Sequence, residues 1–292
     1  MQFESLKQFC DLAESQSFTQ AARINGVTQS AVSQTISAIE KQFKSLLIER
    51  SKKNFRLTSE GEIVYDFSKR ILQNYNAIHS KMQELKNDIS GDVRVSAIYS
   101  IGLHDLPPYI KRYLKEFPTV RLHVQYRREN MVYEDVIGNI VDIGLVVFPE
   151  RDARVEIVPL RTDPLVLICH PQNALAKSKL IKLKTLNGQK FVSFEQDLPT
   201  RKVVDKLFKD HGVKVEHVRE FDNIETIKRA VEIDSGVAIV PEETVRQELV
   251  DGTLAAVRLE GNPMRQMGAL YRKGKVLSPA MKRFLSLLKE KL

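Results

Sequence analysis

The chain has no tryptophan, two cysteines and only 7% aromatic residues in 292. Cys10 sits among Phe3, Leu6, Phe9 and Ala13, and Cys169 follows the strand-like LVLI, so both read as buried small hydrophobes. No spacing of cysteine or histidine suits a metal, and no metal or other cofactor is expected. No apolar run approaches the roughly 20 residues of a membrane span. The opening MQFESLKQF also lacks the basic start and apolar core of a signal peptide, so a cytoplasmic location is expected, without membrane association. Low-complexity tracts and short-period repeats are missing too. So are the sequence signs of catalysis: there is no G-x-S-x-G, no G-x-G-x-x-G and no G-x-x-x-x-G-K. Cys169 and His170 are adjacent, so along a strand they point to opposite faces and cannot act as a pair. An enzyme is not expected.

What is present begins with charge and length. A formal net charge of +8 and a pI near 9.3 suit a polyanionic partner, although many basic proteins bind none. The length allows two or three domains. The informative stretch is FTQAARINGVTQSAVSQTISAIEKQF, from Phe18 to Phe43. Ala21, Ala22 and Ile24 give a first short helix a small apolar face. Asn25-Gly26 ends it, because both residue types tolerate the left-handed conformation of a tight exit. Val27 is expected to enter the core. Thr28 suits an N-cap, and Ala31, Val32, Ile36, Ile39 and Phe43 recur at three- and four-residue steps, predicting one buried face. The opposite face carries Gln29, Ser30, Ser33, Gln34 and Ser37. These are short or amide-bearing uncharged side chains, able to enter a major groove and exchange hydrogen bonds with base edges. The pattern is a helix-turn-helix with its recognition helix second. A plain helical hairpin with a solvated polar face shares its spacing. A first helix over 4–15 is scaffold.

After Phe43, two short apolar segments flank a polar tip in LLIERSKKNFRL. This reads as a winged hairpin whose Arg50, Lys52, Lys53 and Arg56 lie where a wing meets phosphates or the minor groove. Thr58-Ser59-Glu60-Gly61-Glu62 then starts a helix with a hydroxyl cap and carboxylates in its first turn. From there Val64, Phe67, Ile71, Tyr75, Ile78, Met82, Leu85 and Ile89 fall at steps of three and four. Such a narrow stripe is a coiled-coil seam, predicting a homodimer. A dimer gives two recognition helices about 34 to 36 Å apart, the spacing of two half-sites on double-stranded DNA. Ser90-Gly91-Asp92 ends the helix.

Phe18-Thr19-Gln20-Ala21-Ala22, Gln29-Ser30-Ala31-Val32-Ser33, Ile39-Glu40, Glu49-Arg50, Leu57-Thr58 and Gly61 together resemble the N-terminal domain of LysR-type transcriptional regulators. The chain departs from that family's usual pattern at two positions: it has Ser30 where the family often has proline, and Lys44, after the recognition helix, where it usually has glycine. Keeping a left-handed exit with lysine costs roughly 1 kcal/mol.

Beyond residue 92 strands alternate with helices, predicting an α/β architecture with mainly parallel sheets. The strands are expected at 93–98, 121–126, 143–147, 165–169, 191–194, 215–221, 236–241, 254–259 and 268–271. The helices are expected at 103–117, 131–140, 201–211, 224–233, 242–249 and 279–292. The resemblance extends over this region in element order. It implies a periplasmic-binding-protein-like, two-lobed effector domain with the chain crossing twice. The expected division is a winged helix-turn-helix domain at 1–58, a coiled-coil linker helix at 59–91 and a regulatory domain at 92–292. Lobe one is 92–163 plus 267–292, and lobe two is 164–266. Pro164 and Gln266 mark the crossings.

Open α/β sheets bind ligands beyond the carboxyl ends of their strands, where helix N-termini offer free N–H groups. Tyr99-Ser100-Ile101-Gly102 is one such place, and Leu198-Pro199-Thr200-Arg201 is another. The resemblance puts an inducer between these two segments, which makes Ser100, Ile101, Gly102, Thr200 and Arg201 candidate effector-binding residues. Arg127 and Arg128 follow a strand and could face the same cleft, and Phe148 with Pro149 could wall it. Plain N-caps would explain Ser100 and Thr200 equally well, and an ion pair with Glu129 would explain either arginine. Convergent guanidiniums would favour an anionic effector. The resemblance further implies a homotetramer acting at a promoter, with RNA polymerase as a candidate partner. A solute-binding transport protein would share the lobes, but the fused head and absent signal peptide argue against it.

Overall fold

The computed structural model describes residues 2–49, 55–86 and 89–290. The N-terminal part is helical: α1 Phe3–Ser15, α2 Phe18–Asn25 and α3 Gln29–Phe43. They close on Phe9, Leu12, Ala21, Ala22, Val32, Ile36, Ile39 and Leu47. Ser17 caps α2, accepting from the Gln20 N–H, and Gly26 closes it in the left-handed conformation. Thr28 caps α3, accepting from the Ala31 N–H at 3.2 Å. Lys44 keeps the left-handed exit, with φ 52°, so the lysine carries backbone strain that glycine would not.

Two of the predicted core residues lie elsewhere. Val27 and Phe43 are exposed, 37% and 44%, and Ala31 is only half-buried. Val27 lies in the turn between α2 and α3, and Phe43 is the last residue of α3, beyond the edge of a small core. At the base of the wing Ile48 and Leu57 pair antiparallel, and the Glu49 N–H donates to the Arg56 carbonyl. Arg50, Lys52 and Lys53 lie outside the described residues.

The 28-residue helix α4, Ser59–Lys86, follows. Gly61 in its first turn has no room for a side chain, since a Cβ there would lie 2.1 Å from the Leu47 carbonyl oxygen. That close approach seats the helix against the wing. Val64 and Tyr65 pack on the helical core. Further along, Phe67, Ile71, Tyr75, Ile78, Met82 and Leu85 are exposed.

The remaining elements are β1 Gly91–Ile98, α5 Pro107–Glu116, β2 Val120–Arg127, α6 Glu129–Ile137, β3 Ile143–Val147, β4 Val155–Cys169, β5 Leu180–Ile181, β6 Lys190–Phe194, α7 Pro199–His211, β7 Glu216–Phe221, α8 Ile224–Glu232, β8 Ala238–Pro241, α9 Arg246–Asp251, β9 Ala255–Leu259, β10 Met264–Arg272 and α10 Pro279–Lys289. The expected helix over 103–117 is two pieces. A π-helical turn, Ile101–Asp105, precedes α5, and Pro107 starts α5 because its missing N–H costs nothing in a first turn. The expected helix over 242–249 likewise splits into a 3-10 turn, Glu242–Val245, and α9.

The strands run β2-β1-β3-β10-β4-β9-β5, with β8 also pairing with β4 and β6-β7 forming a second sheet. This corrects the mainly parallel expectation. β1 pairs parallel with β2 and β3, but β10 is antiparallel to β3 and β4, and β4 is antiparallel to β8 and β9. The discrepancy traces to β4. Only its last third was legible, because Pro159, Arg161, Asp163 and Pro164 hide the first ten residues from an apolar-run reading. Two lobes result. One packs on Val93, Val95, Leu145, Ala269 and Phe284, the other on Leu167, Ile239, Val240 and Ile227. β4 and β10 run from one to the other, so the crossings are strands in register (Pro164 opposite Met264, Asp163 opposite Arg265) rather than loops.

Candidate functional site

Two places collect functional side chains. On α3, Val32, Ile36 and Ile39 face the core. Three-residue and four-residue steps therefore turn Gln29, Ser30, Ser33, Gln34 and Ser37 outward, and all are exposed along with Thr28. The Thr28 and Ser30 hydroxyls lie 2.9 Å apart, and Thr19 on α2 reaches the Gln29 amide at 3.5 Å. Arg56, at the base of the wing, is exposed too. The result is a convex helical face with hydroxyls and amides at its centre.

The second place is a cavity of about 60 Å³ between the lobes. Lobe one contributes Tyr99 and Ser100, beyond the carboxyl end of β1, with Val147 at the end of β3 and Arg128-Glu129 at the start of α6. Lobe two contributes Leu198-Pro199-Thr200 at the start of α7 and Asn223-Ile224 at the start of α8. Three helices thus aim their N-termini at one small space, and each brings free N–H groups and a partial positive charge.

Arg265, on β10, forms the floor. It is 1% exposed, donates to Asp163 and Asp105, and donates to the Ser100 hydroxyl at 3.1 Å. Arg161 also binds Asp105, so two guanidiniums share that carboxylate. Burial pushes the Asp163 carboxyl up, opposed by Arg265. Because Ser100 accepts from Arg265, its own O–H remains to be donated elsewhere. Sequence reasoning missed this group. Arg265 and Asp163 are lone charges in strands, and only the antiparallel register makes them a pair.

Other expectations resolve residue by residue. Arg128 reaches across the cleft to Glu195 at 2.5 Å and Asp197 at 3.4 Å, rather than pairing with Glu129. Burial and the Glu150 carboxylate push Glu129 up to about 8, so it is largely protonated at neutral pH. Thr200 lines the cavity and is buried. Arg201 does not line it: its guanidinium turns back to Asp205, Glu220 and the Phe194 carbonyl, each at 2.8 Å. Ile101 is a core residue of lobe one. Gly102 lies against Tyr126, where a Cβ would come within 2.4 Å of the ring. Phe148 packs on the lobe-one core with φ 44° and is not among the residues around the cavity. Arg127 also lines the cavity, with its guanidinium 3.6 Å from Asp135. Among the described residues no group of three or more metal-ligating side chains occurs, and no helix is long and apolar enough to cross a membrane.

Residues 3–62 match the family model for the bacterial regulatory helix-turn-helix protein of the lysR family, and residues 86–292 match the LysR substrate binding domain. The chain belongs to the LysR-type transcriptional regulators. It is therefore a DNA-binding regulator with an effector-binding domain, not an enzyme. Similar proteins include the transcriptional regulator CysL of Bacillus subtilis, 25% identical over 91% of this chain and 89% of the relative. The RuBisCO operon transcriptional regulator of Allochromatium vinosum is 28% identical over 94% and 91%. Among solved structures, a full-length OxyR variant from Pseudomonas aeruginosa superimposes with a TM-score of 0.75 at 22% identity, covering 99% of this chain and 93% of its own. That likeness shows the fold.

Proposed function

We propose that this LysR-type regulator is controlled by a small anion in the inter-lobe cleft, and that it reads two half-sites as a dimer joined along α4. The observation that carries the anion is the convergence of α6, α7 and α8 on the Arg265-floored cavity. N–H groups at three helix starts, the Ser100 hydroxyl, Arg128 and a protonated Glu129 are all donors, and an oxyanion is the ligand that satisfies donors from several directions. Asp222, also at the rim, opposes this field and would favour a ligand with a neutral or donating far end.

The regulatory link is differential affinity. A ligand that binds one lobe arrangement better shifts the population toward it, and with it the packing and spacing of the heads. In this reading Ser33 and Gln34 contact bases, while Arg56 and the wing cations contact phosphates. Residues 1–58 are the DNA-binding domain, 59–91 the linker and 92–292 the regulatory domain, divided near Pro164 and Gln266. The regulator works in the cytoplasm, beside its promoter, as a tetramer, with RNA polymerase as a candidate partner there.

Thermal unfolding against phosphate, sulfate, short carboxylates and a neutral polyol tests the ligand class. A bound anion at 100 times its Kd adds about 2.7 kcal/mol, and Ser100→Ala should weaken that anion at least about fivefold while leaving DNA binding without ligand unchanged. A midpoint raised by the polyol and by none of the anions would remove the anion reading.

A further inference from the structure

Glu14, on α1, is far from the cleft, yet its surroundings are built as carefully. Its side chain is 8% exposed and accepts from Arg272 and from the Tyr65 hydroxyl, the latter at 2.8 Å. Lys69 stands 3.3 Å away. Tyr65 in turn accepts from Arg272 at 3.2 Å and from Lys69 at 2.9 Å. The cluster joins the head through Glu14, the linker helix through Tyr65 and Lys69, and lobe one through Arg272. A cavity of about 440 Å³ lies beside it, so the head meets the lobe here through a polar contact next to open space, not through a continuous packed face.

Arg272 is the last residue of β10, and Arg265, the floor of the cleft, lies seven positions earlier on the same strand. A strand rises about 3.3 Å per residue, so roughly 23 Å separates them. Between them β10 is hydrogen-bonded to β3 on one side and β4 on the other, with a register shift at Gln266/Gly268. We propose that β10 carries the state of the cleft to the DNA-reading head, with Arg265 as the positioning residue at one end and the Arg272–Glu14–Tyr65 cluster as the grip on the head at the other. An element held on both sides moves as a unit, and the two arginines are anchored to different bodies. A change in how Arg265 is held by Ser100, Asp105 and Asp163 therefore reappears as a change in where Arg272 holds α1.

The link to the cleft rests on the reading given under Proposed function, but the experiment needs no ligand, so the two can fail separately. Spin labels are placed at Lys41→Cys on α3 and Lys111→Cys on α5, both exposed, while the native Cys10 and Cys169 are buried. Labelled chains are diluted into unlabelled full-length protein, and the distance distribution is read by pulsed electron resonance. The expected result is a single narrow distribution that broadens or shifts in Glu14→Gln and in Arg272→Gln and recovers in the charge-exchanged pair Glu14→Arg with Arg272→Glu. Arg265→Lys should also shift it, and should add nothing once Arg272→Gln is present. A distribution unchanged by both single cluster variants overturns the grip. An Arg265→Lys effect that is absent, or equal with and without Arg272, overturns transmission along β10. The exchanged pair shows whether loss in the singles reflects the contact or a misfolded head.

Discussion

Arg201 illustrates how a residue type can be legible while its direction is not. Its position at the start of α7, beside Thr200, suits anion binding, yet the guanidinium is committed to Asp205, Glu220 and the Phe194 carbonyl. Arg201→Ala is expected to cost about 1–3 kcal/mol in urea unfolding, mainly by orphaning the Phe194 carbonyl, since both carboxylates reach solvent. The affinity for an anion that protects the wild type should change less than about twofold. Glu129 gives a pH signature. Its folded value of about 8 lies above the ordinary 4.5, so between those values the folded chain holds a proton that the unfolded chain releases. Stability from this group is therefore complete below about pH 4.5, falls as pH rises, and is gone above about pH 8. Glu129→Gln should be more stable than wild type at pH 8 by roughly 1 kcal/mol or more, a gain that vanishes toward pH 5 in the same unfolding series.

For elements, the exposed stripe on α4 decides most. Phe67, Ile71, Ile78, Met82 and Leu85 expose apolar area along one narrow seam, which a second copy of the helix would cover. Ile78→Glu should convert dimers to monomers in light scattering at micromolar concentration and weaken operator binding at least about tenfold, with the fold of each chain intact by circular dichroism. That stripe was legible because helical periodicity is local. The strands β1, β3 and β6 and the helices α7 and α8 were legible for the same reason, their apolar runs and flanking turns being contained within a few residues. β4 was legible only from Leu165 onward, since Pro164 sits where its partner changes from β10 to β8 and β9, and Pro159 sits beside the register shift against β10. The cleft was half legible. Ser100, Arg128 and Thr200 are announced by strand ends and helix starts, whereas Arg265, Asp163 and Asp105 meet only through pairings about 100 and 160 residues apart in sequence, which no local pattern encodes.

Taken whole, the molecule is a positively charged chain with its reading face at one end. The formal charge of +8 does not itself measure phosphate contacts, but the salt dependence of binding does. Arg56→Ala should weaken binding to specific and random DNA alike and reduce the slope of log K against log salt by about one. Ser33→Ala should leave that slope unaltered and lower affinity only for the operator, as measured by fluorescence anisotropy over a salt series.

The antiparallel insertion of β10 between β3 and β4 also governs how the chain can be made. Lobe one begins at β1, but the strand that fills the middle of its sheet is not complete until residue 272 has been added. Until then β3 and β4 present unpaired edges, while lobe two, whose β4, β8 and β9 are all synthesised by residue 259, can already pair. During synthesis the strands of the later lobe are therefore complete before those of the earlier one. A nonsense codon between residues 169 and 264 leaves β3 and β4 without the strand that joins them, an edge-bearing chain fit for chaperones and proteases, not a shortened regulator.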